Sequence, residues 1–282
     1  MKHVLVMLAL LFFLSGPASA EAPARIVSLA PNLTEILYDL GLGDRIAAVT
    51  IFCDYPAQAR EKPKIGGLAN PSLEAIVAMR PDMVVMTDDG NPAGLESRLR
   101  KLGIGTYIFR AKRLSELPAG IRDLGIALGA REPAFHRADV IEKSLHRLGK
   151  GLAEGSPRRA KEVLFVVQPN PLIVAGPGTA IDDSLKLLGL KNIASDAGSR
   201  YPNYSLEEVI VRAPGTILFG QGPGMSNEYA ANVLKKLGSL DAVKKGRVCF
   251  IKDPLFRLGP RIIEGINEIR ECVGGKESLP ID

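Results

Sequence analysis

Tryptophan is absent from this 282-residue chain, and cysteine and histidine are scarce, at three residues each. The cysteines, Cys53, Cys249 and Cys272, form no CxxC pair, so neither a zinc knuckle nor a thioredoxin-like redox site is supported. Beyond residue 20 the only histidines are His136 and His146, both in one helical stretch. A receptor for free zinc or manganese would want several histidines in its cleft, and the sequence does not supply them. No Ser-His-Asp or Cys-His arrangement is apparent, and no P-loop or GxGxxG follows a strand, so nothing points to an enzyme. No Lys/Arg-rich segment occurs either. The net charge of +5 is spread along the chain, Arg158-Arg159 and Lys244-Lys245 are isolated pairs, and no nucleic-acid partner is indicated.

One long apolar run is present, Val4 to Leu14, behind Lys2 and ahead of a Ser15-Gly16-Pro17 break. It is well short of the roughly 20 residues that a spanning helix needs. With Ala18-Ser19-Ala20 as a small-x-small site, residues 1–20 read as a secretory signal peptide cleaved after Ala20. No cysteine follows the run, which argues against a lipid anchor. The remaining chain is long enough for one large or two medium domains, each with its own core. An exported protein meets an oxidising compartment, where one disulfide is allowed. Cys249 lies on an expected strand and Cys272 near the end of the last expected helix. The two are candidates to meet, but spacing alone does not decide it, and Cys53 would be left over.

Short β-like runs alternate with helical patterns, which indicates α/β units and parallel sheets. Arg25 to Leu29, Met83 to Met86 and Thr106 to Phe109 read as strands. Asn32 is the expected cap of a first helix, with Glu35 in capping-box position and Gly41 as the stop. Asn70-Pro71 reads as another helix start, with the proline in the first turn. After Ala111 the texture becomes helical, over Ser115 to Leu128 and then Glu132 to Leu152. Glu162 to Val167 opens a second α/β series.

That second series echoes the first. Ser72-Leu-Glu74 with Pro81 and the apolar run to Met86 is matched by Ser205-Leu-Glu207 with Pro214 and the run to Phe219. Leu37 to Leu42 is matched by Leu185 to Leu190, and Leu99 to Gly103 by Leu234 to Gly238, all in the same order. Three ordered echoes indicate two similar halves. The expected organisation is a lobe over 21–111, a helical connection over 112–160 and a lobe over 161–282. Parallel strands present ligands at their carboxyl ends, and clefts form at domain interfaces, so the space between the lobes is the expected site. The loops Asp88 to Asn91 and Gly220 to Pro223 should face it.

Several segments carry a family resemblance: Arg25 to Leu37 (RIVSLAPNLTEIL), Phe52 to Pro56 (FCDYP), Ser72 to Met86 and Gly259 to Ile263 (GPRII). Together they resemble the periplasmic binding proteins that serve cobalamin, heme and ferric-siderophore importers, over about residues 25 to 272. Ala30-Pro31-Asn32 before Thr34-Glu35, with Asp54-Tyr55-Pro56, looks most like the cobalamin-binding branch. Heme binders tend to carry a Gly-Ser-Val type segment there. The resemblance implies two Rossmann-like lobes with parallel sheets joined by one long helix, modest cleft closure and no catalysis. It also implies a monomer in the periplasm, delivering a corrinoid such as cobalamin to an ABC permease dimer in the inner membrane.

By the same resemblance Ala30, Pro31 and Asn32 line the first lobe's strand end, and Phe52 and Tyr201 fall at aromatic contact positions. Asp253 and Arg257 fall at polar ones. Leu68 stands where the cobalamin binder has a cleft tryptophan, a departure that removes ring area from the packing. Glu74 and Glu207, one per lobe, match glutamates that dock onto permease arginines. Each also suits an early helix position, where a carboxylate meets the positive end of the dipole. Heme stays open through Tyr55, Tyr201 or Tyr204 as an iron ligand. A ferric siderophore stays open through Arg110, Arg200 and Arg257, and an exported enzyme is the rival from another class.

Overall fold

The computed structural model describes residues 22–149, 162–221 and 226–274, without the side chain of Asp253. The expected signal peptide, Lys150 to Leu152 at the end of the expected linker helix, and Gly222 and Pro223 of the expected loop lie outside the described residues. In the first lobe the order is β1 (Ile26–Ser28), α1 (Pro31–Asp39), β2 (Ile46–Val49), α2 (Ala57–Glu61), α3 (Leu73–Ala78), β3 (Met83–Thr87), α4 (Leu95–Lys101) and β4 (Gly105–Phe109). The strands pair in parallel in the order β2-β1-β3-β4. Ile26, Val27, Val84 and Val85 are fully buried, as central strands covered on both faces require.

Two helices follow, α5 (Leu117–Ala127) and α6 (Arg131–Leu148), packed as a hairpin. Gly125 makes this possible, since a Cβ there would fall 2.1 Å from the Ala134 methyl. The second lobe runs β5 (Glu162–Pro169), β6 (Leu172–Val174), α7 (Ala180–Leu187), β7 (Lys191–Asn192), α8 (Leu206–Arg212), β8 (Thr216–Gln221), α9 (Asn227–Lys236), α10 (Asp241–Lys244), β9 (Val248–Lys252) and α11 (Ile262–Val273). Its strand order is β6-β5-β8-β9, with β7 also beside β5. All pairs are parallel except β5 with β6, where only Asn170 and Pro171 separate the strands, and so short a link permits only a hairpin. Among the described residues no helix is long and apolar enough to cross a membrane.

Two of the three sequence echoes share their local geometry. Ser72 and Ser205 both cap their helices, each hydroxyl accepting the N–H of the third residue on, Ala75 or Glu208, at 3.1 Å. Both helices end in a left-handed non-glycine residue, Arg80 (φ 47°) and Ala213 (φ 43°), directly before a proline that disfavours the right-handed helical region. Leu42 and Leu190 each donate back to the carbonyl five residues earlier, at 2.8 and 2.9 Å, around the left-handed Gly41 and Gly189.

Two local expectations are corrected. Asn32 does not cap α1: Ala30 holds the cap position with no side-chain bond, Pro31 opens the helix, and Glu35 is buried and turned to another partner. Pro71 is not in a first helical turn. It bridges Gly66 just before the Ser72 cap.

One face of each sheet packs under its own lobe's helices. The other faces share a single apolar core that runs through the joint. It includes Leu37 of α1, Phe109 of β4, Leu124 of α5, Ile141 of α6, Phe165 of β5, Leu185 of α7 and Ile266 of α11. Ion pairs tie the connection to both sides, Arg137 to Asp39 and Arg113 to Asp183. A joint with a continuous core has little hinge freedom. Cys249 of β9 and Cys272 of α11 form the disulfide, with Cα atoms 6.3 Å apart, and Cys53 is buried and free.

Candidate functional site

A cleft of about 450 Å³ opens where the strand ends of the two sheets face each other. All four strands of the first sheet supply it: Ala30 to Asn32 after β1, Phe52 after β2, Thr87, Asp89 and Gly90 at the end of β3, and Ala111 and Lys112 after β4. Leu68 lies between them, half-buried. Asn91 fastens this wall. Its Oδ1 accepts the Thr87 N–H at 2.8 Å, and its Nδ2 donates to the Leu29 and Leu68 carbonyls at 3.1 and 2.9 Å.

The facing wall comes from the second lobe, as Phe256, Arg257 and Leu258 after β9, and Arg200 and Tyr201 from the segment beside β6. Phe256 is set deep because Gly220 leaves room for its ring; a Cβ at Gly220 would lie 1.9 Å from it. Phe52 and Tyr201 are 42% and 51% exposed, open rings on the cavity wall. Such rings offer apolar area with little ordering cost to a bound ligand. Desolvation raises the Tyr201 phenol above its ordinary value, with Arg200 acting the other way.

From the cleft wall Arg257 reaches back into an ion cluster that crosses between lobes. Glu35 of α1 is 2% exposed. It accepts from Arg257 at 2.9 Å and, in a two-pronged contact, from Arg261 at 2.9 and 2.8 Å. Arg257 also meets Asp54 at 2.7 Å, and the Arg261 guanidinium lies 3.6 Å from the Tyr55 ring centroid. Burial pushes the Asp54 carboxyl up, but the hydrogen bond and charge of Arg257 outweigh it and hold it below its ordinary value. Asn32 adds a bond to the Leu258 carbonyl at 3.3 Å. Arg257 is thus held in place beside the cavity before any ligand arrives.

Of the expected contact residues, Ala30, Pro31, Asn32, Phe52, Leu68, Tyr201 and Arg257 are brought together around this one cavity. Asp253 opens the turn after β9, and its side chain lies outside the description. Asp89 and Gly90 of the first expected loop face the cleft, and Gly220 of the second reaches it through Phe256. Among the tyrosines, Tyr204 is instead a core residue of the second lobe, and Tyr55 stacks on Arg261 away from the cavity lining. Glu35 and Phe256 carry no local mark of a site residue. Their partners are distant in sequence, and only the burial of a charged residue in α1 would have marked Glu35. Glu74 and Glu207 are exposed at the second position of α3 and α8.

Two α/β lobes, a stiff joint and a cleft between them that carries open aromatic rings define a two-lobed solute-binding protein. A family model described as periplasmic binding protein matches residues 26–255. The vitamin B12-binding protein of Vibrio cholerae serotype O1 is 30% identical over 257 residues, covering 91% of this chain and 90% of that one. Among solved structures, the periplasmic vitamin B12 binding protein BtuF of Vibrio cholerae superposes with a TM-score of 0.78 at 28% identity, covering 91% of this chain and 99% of that one. The periplasmic heme-binding protein RhuT of Roseiflexus sp. RS-1 superposes with a TM-score of 0.79 at 26% identity, covering 89% and 98%. The chain belongs to the periplasmic binding protein family.

Proposed function

We propose that this chain is an exported periplasmic carrier that takes a corrinoid of the cobalamin type into the cleft and delivers it to an ABC permease. The supporting observation is the cleft wall itself. Phe52 and Tyr201 present open rings from opposite lobes, and Arg257, already neutralised by Glu35 and Asp54, offers a fixed polar group between them. A broad macrocycle with a polar rim suits such a wall, and the stiff joint favours a preformed site over large closure. Similarity along nearly the whole chain to a vitamin B12-binding protein favours the same ligand.

Heme is the second reading. Tyr201 is the one tyrosine lining the cavity among the described residues, a phenol is a known type of iron ligand, and a heme-binding protein is among the structural neighbours. Calorimetric titration of the mature protein with cyanocobalamin and with hemin, alongside visible spectra, separates the two. Micromolar or tighter binding of cyanocobalamin alone is expected. A Soret shift with hemin that is lost in Tyr201→Phe, without cyanocobalamin heat, would overturn the corrinoid reading.

A further inference from the structure

Arg200 stands at the lip of the cleft beside Tyr201, its guanidinium 5.9 Å from that ring centroid. Its main chain is fixed. Gly176 donates to the Arg200 carbonyl at 2.8 Å, Val174 to Pro202 at 3.0 Å, and Tyr204 to Leu172 at 2.9 Å. The side chain is far less committed. Its Nη1 reaches across the mouth to Asp89 of the other lobe at 3.3 Å, a long contact between groups 36% and 44% exposed. Its Nε is shut off from solvent and has no hydrogen-bond partner. Ion pairs this exposed hold weakly. A sealed donor without an acceptor makes this a pose the side chain leaves when a better acceptor is offered.

The surrounding charge leaves the rim short of acceptors. Asp88 already faces Lys112 at 3.1 Å and Arg110 at 3.7 Å. Arg110, Lys112 and Arg200 therefore share two carboxylates, Asp88 and Asp89. A guanidinium in this position suits an oxygen acceptor, because its planar fork can offer two N–H groups at once.

We infer that Arg200 recognises carbonyl-type oxygens on the periphery of the bound macrocycle, and that Asp89 parks it across the mouth while the cleft is empty. Ligand entry exchanges the Asp89 contact for contacts from the ligand's own oxygens. The inference rests on the macrocycle reading above. Amide oxygens on a corrinoid and carboxylates on a heme share this chemistry, and they differ in charge.

Wild-type protein, Arg200→Ala and Asp89→Ala, matched for thermal unfolding, are titrated with cyanocobalamin and with hemin at low and high salt. Arg200→Ala is expected to weaken binding roughly ten- to a hundredfold. Asp89→Ala frees the guanidinium and is expected to tighten binding by up to about fivefold. A carboxylate acceptor makes the Arg200 contribution shrink with salt, whereas an amide acceptor leaves it nearly constant. Wild-type affinity in Arg200→Ala, or an equal loss in Asp89→Ala, overturns the inference while the ligand reading stands. Binding of neither ligand by the wild-type protein removes both together.

Discussion

Glu35 shows how one side chain can be read correctly as to type and wrongly as to task. Three residues after Asn32, at the start of a helix, a glutamate is the natural second half of a capping box. Pro31 at the helix start leaves Ala30 at the cap, so the box is not built. The carboxylate turns inward to Arg257 and Arg261, 222 and 226 residues away. A local pattern carries no information about partners at that distance. Removing one member of such a buried cluster leaves the opposite charge uncompensated, which is costlier than the net value of the pair. Glu35→Gln keeps one oxygen acceptor and most of the volume. It should destabilise the protein by about 3 kcal/mol, the low end for a broken buried pair. Urea unfolding of the two proteins measures this. A change below about 0.5 kcal/mol would show that the cluster does not hold the lobes.

Elements whose limits are set by neighbours in sequence were the legible ones. The glycine stop at Gly41 and the strands β1, β3, β4, β5 and β8 follow from residues within a turn of each other, whereas the Asn70-Pro71 signal sets the start of α3 ahead of its Ser72 cap. The antiparallel β6 was not foreseen because Leu172 to Val174 is too short to show a period. The cleft wall was partly legible for the same reason: strand ends mark Ala30 to Asn32 and Asp89. Phe256 depends on an opposing glycine that no local pattern names. The Cys249–Cys272 bond belongs to this scale too. It closes 23 residues of chain around β9, the cleft turn and α11. Closing a loop of that length restricts the unfolded chain and stabilises the fold by about 2–4 kcal/mol. Reduction under native conditions should lower the unfolding free energy by that amount while leaving Cys53 buried. An unchanged melting temperature after confirmed reduction would mean that the apolar contacts of α11 suffice without the bond.

The two halves also present the same surface twice. Glu74 and Glu207 occupy equivalent positions, exposed at the amino ends of α3 and α8. The Glu207 carboxyl is held below its ordinary value by its own backbone N–H and then by the Ser205 hydroxyl, so it is charged throughout the neutral range. One turn further on, Val77 and Ile210 are 39% and 42% exposed, placing an aliphatic group beside each carboxylate on the same helix face. A stiff joint keeps the two patches at a fixed separation, which suits a partner that itself offers one site twice. Charged groups at such separated points steer the approach and set the register, while adjoining apolar contacts slow departure. On the proposal that the partner is a permease dimer, Glu74→Ala combined with Glu207→Ala should abolish ligand uptake by cells, and either change alone should reduce it. Neither residue touches the cleft, so the affinity of the purified double variant for cyanocobalamin should equal that of the wild type. Uptake at the wild-type rate would remove these glutamates from the docking surface. Loss of affinity in the purified protein would instead place their effect inside the lobes, transmitted along α3 and α8 to the strand ends that line the cleft.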